Sequence, residues 1–456
     1  MSAGEPRPNS LVRLVLPDVQ ELLQQAKPEE ISGALEPFHS ADIADLLEEL
    51  EEPEAVRLLL NLEPELQVET YEQLEVPDQV RVFGAVGAEG MARIVEGMSA
   101  DDRADLLNNL PDELGAGLLS GLSAPEAKDA ALLATYGEDT AGGIMTSEFV
   151  RLSPEMTASE AIARVRAQAT SKETIFALYV LDPKDRLVGV CSLARLILAP
   201  DEAKVADVMY PHPISMPVDS DQEAVAGGLR HYDFLAMPIV DADGRMVGIV
   251  THDDAFDVVL EEQTEDVQKM AGVEPLEAPY FETALLMLVR KRLIWLTLLL
   301  GAGMVAGTLL KGFQATLQKV IALTFFLPLI IAAGGNSGAQ SATLVIRGMA
   351  VGEMSTQDWP RVARRELVSG LLLGTLLGAL GFAMAHLLGQ PSVSLTIFLT
   401  LIGSVTTGSL LGSLLPMFLA RNGIDPAITS SPLVAGLVDI VGIVIYFSIA
   451  RFVLGI

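Results

Sequence analysis

Five apolar stretches, near residues 293–310, 320–346, 367–388, 393–420 and 429–451, are each long enough to cross a hydrocarbon layer about 30 Å thick at about 1.5 Å of rise per residue. A chain carrying them folds partly in lipid, where backbone groups must satisfy one another, so helices are expected there. Charge divides the 456 residues in the same place. Residues 1–280 hold 54 acidic and 19 basic side chains, net −35, whereas 281–456 are net +5. A surface this acidic repels nucleic acid and suits divalent cations or basic partners. The acidic part is long enough for two domains with their own cores. A single cysteine, Cys191, leaves no disulfide framework and no thiolate metal site within one chain. Residues 11–16 are too short an apolar run for a signal peptide and are broken by Arg13. Arg290, Lys291, Arg292, Arg347, Arg361, Arg364, Arg365 and Arg421 flank one side of the spans, against Lys311, Lys319 and Arg451 on the other. That bias places the N-terminal region in the cytoplasm and, with five spans, the C-terminus outside.

Asp439 lies deep in the fifth stretch and is read as the only carboxylate well inside a span. An intramembrane Asp costs at least a few kcal/mol and normally meets a partner or a watery path. No Lys or Arg lies at a similar depth, so a passing cation is the natural counter-charge, with a proton relay as the alternative. A second place is the run Gly334, Gly335, Asn336, Ser337, Gly338, Ala339, Gln340 and Ser341, just past Pro328, where the proline is expected to loosen the helix and free carbonyl oxygens. Packing is the plainer reading of that run, and also of Gly370, Gly374, Gly378 and Gly381. Few carboxylates with neutral oxygens suit magnesium, which keeps several of its waters. Five spans with no visible inverted repeat favour a pore shared between subunits over a path inside one chain.

The acidic part holds two repeats. Ala44, Asp45, Leu46 and Leu47 recur as Ala104, Asp105, Leu106 and Leu107, suggesting a superhelix of short helices. Residues 182–192 match 241–251, and each copy reads β-α-β-β-α. Two such units resemble a tandem cystathionine-β-synthase (CBS) pair, which implies a regulatory module and a site for an adenine nucleotide or ion. Gly248, Thr251 and Asp254 match the nucleotide pattern; the first copy has Gly189 and Ser192 but Arg195 where an acid would stand. Residues 258–272 form an acidic helix in which Glu261, Glu262 and Glu265 are expected to repel one another. Asp101, Asp102 and Asp105 cluster at a helix start, where capping is the plain alternative. Nothing supplies a nucleophile with a base, so no enzyme activity is expected.

With the run at 334–341, residues 432–439, Tyr232-Asp233-Phe234 and Thr264-Glu265-Asp266, the chain resembles the MgtE family of magnesium channels from about residue 30 onward. The resemblance implies a multidomain membrane protein: an acidic helical superhelix (1–138), an α/β tandem CBS pair (139–257), a connecting plug helix (258–283) and a five-helix transmembrane domain (284–456). It implies a homodimer in the plasma (inner) membrane with Asp439, the Ala435 carbonyl and Asn336 facing hydrated Mg2+. Cytosolic magnesium would gate it at Glu223, Asp233, Asp254, Asp257, Glu262, Glu265 and Asp266, with Asp101, Asp102 and Asp105 contributing. Phe234, Ser192 and Thr251 would touch ATP, though Arg195 departs from the nucleotide pattern, and Ala339 replaces an amide or hydroxyl that relatives carry. A coupled divalent-cation transporter and a non-conducting magnesium sensor remain open as alternatives.

Overall fold

The computed structural model describes residues 10–25, 27–169, 172–276, 280–281 and 283–456; the start of the expected helical domain and residues 277–279 and 282 of the expected connecting segment lie outside these. The chain divides into two compact units, Met1–Val259 and Leu260–Ile456.

Among the described residues, the first element is α1 (Ser10–Gln25), followed by nine short helices, α2 (Pro28–Leu35), α3 (Ser40–Glu48), α4 (Glu52–Leu60), α5 (Pro64–Glu72), α6 (Val76–Val86), α7 (Ala88–Gly97), α8 (Ala100–Asn109), α9 (Asp112–Gly121) and α10 (Ala124–Leu133). Prolines in the first turn of α2, α4, α5, α6 and α10 start helices where a missing N–H does no harm. Each helix is too short to be stable alone. They hold because one continuous apolar core runs from Val12 to Leu122. The echo noticed in the sequence falls on α3 and α8, where Ala44, Leu46, Ala104 and Leu106 are all buried.

The CBS pair follows as two β-α-β-β-α units. The first is β1 (Phe149–Leu152), α11 (Ala158–Gln168), β2 (Thr174–Leu181), β3 (Leu187–Ser192) and α12 (Leu193–Leu198). After α13 (Val205–Val208) and β4 (Tyr210–Pro211) comes the second: β5 (Met216–Pro217), α14 (Gln222–Tyr232), β6 (Ala236–Val240), β7 (Met246–Thr251) and α15 (His252–Met270). In each sheet the strand before the helix pairs parallel to the next, which pairs antiparallel with the third. The repeats trade edges. β4 pairs with β3 of the first copy, and Thr146, ahead of the first copy, bridges Ile249 in β7 of the second. Ala100 and Ala104 of α8 share an apolar cluster with Met237, Ala255 and Val258, so α8 lies against the second copy and the start of α15.

Among its described residues, the second unit contains five helices long and apolar enough to span a membrane: α16 (Leu285–Gly312), α18 (Ala322–Ala350), α19 (Trp359–Leu387), α20 (Pro391–Arg421) and α21 (Ser431–Leu454), with the short α17 (Gln314–Lys319) after α16. Three sequence expectations need correction. First, α15 starts at His252, not 258, because the second repeat's last strand runs straight into it. Second, α18 passes Pro328 unbroken. The proline sits seven residues into the helix, and one lost backbone bond there does not undo the packing that follows. Residues 334–341 are therefore helical, and their glycines serve contact: a Cβ on Gly412 of α20 would stand 2.0 Å from the Gly338 carbonyl oxygen. Third, α19 begins at Trp359, so Glu366 lies inside it and Asp439 is not the only carboxylate within a span. The apolar run starts one residue after Glu366, but charged residues near a helix end extend the helix and reach toward the interface. Gly370, Gly374, Gly378 and Gly381 are all buried, and at Gly374 a Cβ would meet Ile402 Cα at 2.7 Å, as the packing reading expects.

Candidate functional site: an intramembrane carboxylate and two acidic contacts

Asp439 stands eight residues into α21, about 12 Å along the helix. Ala435, one turn earlier, shares its face, and both meet α18 at Gly335. A Cβ there would lie 3.2 Å from Asp439 Oδ1 and 3.4 Å from Ala435 Cβ, so only glycine lets the carboxylate sit this close to the neighbouring backbone. Asn336 is the next residue on α18 and is exposed. Two of the three residues expected on the ion path thus meet at one seam between α18 and α21, and the third follows Gly335 directly along α18. Below it, Val434 and Val438 are buried with Ala342, Ile346 and Ala427, and Met270 from the end of α15 packs on them. Glu366, which the sequence reading missed, accepts a 2.6 Å hydrogen bond from Ser341 Oγ of α18.

The first acidic contact is built on α8 and the start of α15. Asp101 is 9% exposed, and its Oδ1 has no hydrogen-bond partner. Ser99 caps α8: its hydroxyl donates to Asp102 Oδ2 at 2.8 Å and its N–H to Glu72 Oε1 at 2.8 Å. Thr251 holds Asp254 in the same way, its hydroxyl donating to Oδ2 at 2.5 Å. Burial first, then mutual repulsion, pushes Asp102, Asp105 and Asp254 up to about 7. Asp101 is raised by burial and then by Asp102; Glu72 is raised to about 7 by burial and then by Asp101 among others. Asp257 is raised by burial and by Asp253. Arg103, also on α8, does not neutralise them. Its Nε and Nη2 donate to the carbonyls of Val95 (3.0 Å) and Met98 (2.5 Å) at the end of α7, and Nη2 is 3.9 Å from Glu148. Sequence reasoning found five of these acids and missed Glu72, which stands 182 positions before Asp254 in the chain and is brought in only by the stacking of the helices. Glu223 and Asp233 are exposed at opposite ends of α14. Among the described residues, no three His, Cys, Asp or Glu side chains converge closely enough to chelate a metal directly.

The second acidic contact lies at the membrane end of α15. Here the expected repulsion involving Glu265 is relieved by Lys269, one turn on, whose Nζ pairs with Glu265 and also with Asp425 Oδ2 at 2.7 Å. Burial opposes the ammonium charge, but the bonds from Asp425 and Glu265 outweigh it and raise its pKa. Asp266 is raised by burial and by Asp425, while Lys269 pulls the other way. Glu262 is half-buried. The segment after α15 is fixed by Gly272, at φ +74°, against Ser430 and Pro432 at the start of α21, and by Lys291 Nζ donating to the Pro275 carbonyl.

A cavity of about 490 Å³ in the first unit is lined by Phe176, Tyr179, Ser192, Tyr210, Asp233 and Phe234, among others. The Arg195 guanidinium stacks 4.1 Å over the Tyr210 ring. Thr251, expected beside Ser192 and Phe234 at a nucleotide, is not in its wall. It is buried and bound to Asp254, because the second copy of the motif faces α8 instead.

Comparison with known proteins adds three family matches: the MgtE intracellular N domain over residues 38–139, the CBS domain over 141–202 and 205–261, and the family described as divalent cation transporter, MgtE, over 327–449. Magnesium transporter MgtE of Thermus thermophilus is 42% identical over 322 residues, 71% of this chain and 72% of that protein. The Bacillus subtilis protein of the same name is 37% identical over 73% of each. Among solved structures, the cytosolic domain of the Mg2+ channel MgtE in complex with ATP is 35% identical, with a TM-score of 0.51, and covers 53% of this chain and 99% of that one. The soluble part of a magnesium transporter is 33% identical, with a TM-score of 0.52, over 55% and 99%. Superhelix, CBS pair and five membrane-length helices define a multi-pass transporter with a large acidic N-terminal region. Within that class, the chain belongs to the MgtE family.

Proposed function

We propose that this protein is a magnesium channel of the plasma membrane, working as a homodimer whose shared path runs along the α18–α21 seam. The observation that carries this reading is Asp439, a carboxylate placed mid-helix against Gly335 with no basic side chain to pair with among the described residues. Magnesium dehydrates reluctantly, so the ion keeps waters that hydrogen-bond to Asp439, the Ala435 carbonyl and Asn336, and two chains supply two carboxylates. The names of the relatives support magnesium as cargo. The large acidic region lies in the cytoplasm and the C-terminus outside, as the charge bias suggests.

Cytosolic magnesium closes the path by linkage. The cluster of Asp101, Asp102, Asp105, Asp254 and Asp257 repels itself when ionised, a divalent cation relieves that repulsion only in the closed arrangement, and binding therefore shifts the population toward closure. Glu223, Asp233, Glu262, Glu265 and Asp266 belong to the same acidic inventory. The cavity beside Ser192 and Phe234 is read as a site for an adenine nucleotide, supported by the ATP bound in the related cytosolic domain.

Magnesium flux into proteoliposomes tests the central claim. Wild type should pass magnesium at low cytosolic-side magnesium and stop at high, and Asp439→Ala should pass little at either. Flux that survives Asp439→Ala removes the proposed path, and no flux from wild type favours a non-conducting sensor.

A further inference from the structure

The two CBS copies end the same strand and turn in opposite charges. Thr251 leads to Asp254 in the second copy, and Ser192, at the matching place in the first, leads to Arg195. The Arg195 N–H donates to Ser192 Oγ at 3.2 Å and its guanidinium lies 4.1 Å over the Tyr210 ring, so it is tied to two residues of the cavity wall. It is half-buried, and no carboxylate pairs with it among the described residues. His212, in the wall itself, stands between Pro211 and Pro213 at φ +56°, a left-handed conformation that a residue before proline rarely takes. Backbone held in that way is common where a side chain must be kept at a ligand. Tyr179 gives a third observation. It lines the cavity and is 1% exposed, with its ring set edge-on against Phe149 at 5.8 Å, yet its hydroxyl has no hydrogen-bond partner. A buried phenol ordinarily has one.

We propose that Arg195 makes this cavity selective for phosphorylated nucleosides over nucleosides: the base lies among the aromatic side chains with its polar edge on the Tyr179 hydroxyl, and Arg195 and His212 receive the phosphate. This rests on the adenine-nucleotide reading of the cavity given above, and names the group that discriminates within it. The physical reason is charge. A guanidinium presents a fork of N–H donors that matches phosphate oxygens, and one with no carboxylate partner keeps that fork open. An acid at the same place, as in the second copy, would repel the phosphate. Asp233, the one carboxylate among the wall residues, comes from the second copy at the end of α14, and its repulsion favours a phosphate on the first copy's side. A nucleoside brings no charge for Arg195 to meet and is held by stacking and the Tyr179 hydroxyl alone.

The test uses the full-length protein in detergent with EDTA, so that no metal bridges protein and phosphate, and measures by calorimetry the affinity for adenosine and for AMP. Wild type should bind AMP about tenfold or more tightly than adenosine, the size expected of charge-assisted hydrogen bonds to one phosphate. Arg195→Met should weaken AMP about tenfold and leave adenosine unchanged, and Arg195→Lys, which keeps the charge without the fork, should restore part of the preference. His212→Asn should weaken AMP about threefold with adenosine unchanged, whereas Tyr179→Phe, the same ring without its hydroxyl, should weaken both ligands by a similar factor of about five. Equal binding of adenosine and AMP to wild type, or an equal loss of both in Arg195→Met, overturns the proposal and leaves the cavity an adenine site. An unmoved affinity in His212→Asn or Tyr179→Phe overturns the role given to that residue. A wild-type protein that binds neither adenosine, AMP nor ATP at millimolar concentration overturns the nucleotide reading as well.

Discussion

The two acidic contacts use the same side chains and differ in where the positive charge comes from. On α8 and the start of α15, Asp101, Asp102 and Asp254 crowd together while Arg103 spends its guanidinium on the carbonyls that end α7. At the other end of the same helix, Lys269 lies between Glu265 and Asp425. In the proposed function the first contact takes its cation from solution, whereas the second has Lys269 beside its acids. A sensor is expected to leave its ion-dependent joint uncompensated, because a joint already neutralised from within has little to gain from a bound ion. At the membrane end of α15, Met270 is seated on Val434 and Val438.

The largest effect should come from pH. Asp102, Asp105 and Asp254 titrate at about 7 in the cluster, above the ordinary carboxylate range. The sign follows from that direction. Without metal, the compact arrangement is favoured while these groups hold protons, loses that support as pH rises from about 4 to about 7, and is least stable above. Protons compete with the ion over the same window, so the magnesium midpoint for proteolytic protection should fall about tenfold or more between about pH 6 and about pH 8. A pH-independent midpoint would break the contrast at its first term. Next in size, Asp254→Asn should raise the midpoint about fivefold and leave flux open at magnesium levels that close the wild type. Smallest is Lys269→Met. The pair is partly solvent-screened, with Lys269 24% and Asp425 35% exposed, so its loss should cost about 1 kcal/mol, seen as hydrogen exchange about fivefold faster near the end of α15. Added magnesium should restore protection there in the variant while changing it little in the wild type. If the wild type responds as strongly, Lys269 is not the resident cation.

Legibility in the sequence followed the range of the interactions. The five spans, the CBS repeats and Asp439 show themselves because each depends on local composition or a short period. Glu366 was missed for a local reason: an apolar window ends where charge begins, whereas the helix continues. Lys269 was legible in principle, four residues after Glu265 on one helix face. Its second partner, Asp425, was not, because 156 residues separate them. Glu72 carries no motif at all, and only the stacking of short helices gives it Ser99 and Asp101 as neighbours.

By itself, the sequence determined which part of this protein enters lipid, which part is acidic, and that a carboxylate lies deep in the last span, since hydrophobic transfer and charge solvation act residue by residue. The tertiary structure decided which carboxylates share one field, which of them meet a lysine, and which copy of the nucleotide motif opens on a cavity. Those outcomes depend on Coulomb and packing terms that fall off over a few ångströms, and such distances are set by the fold and not by position along the chain.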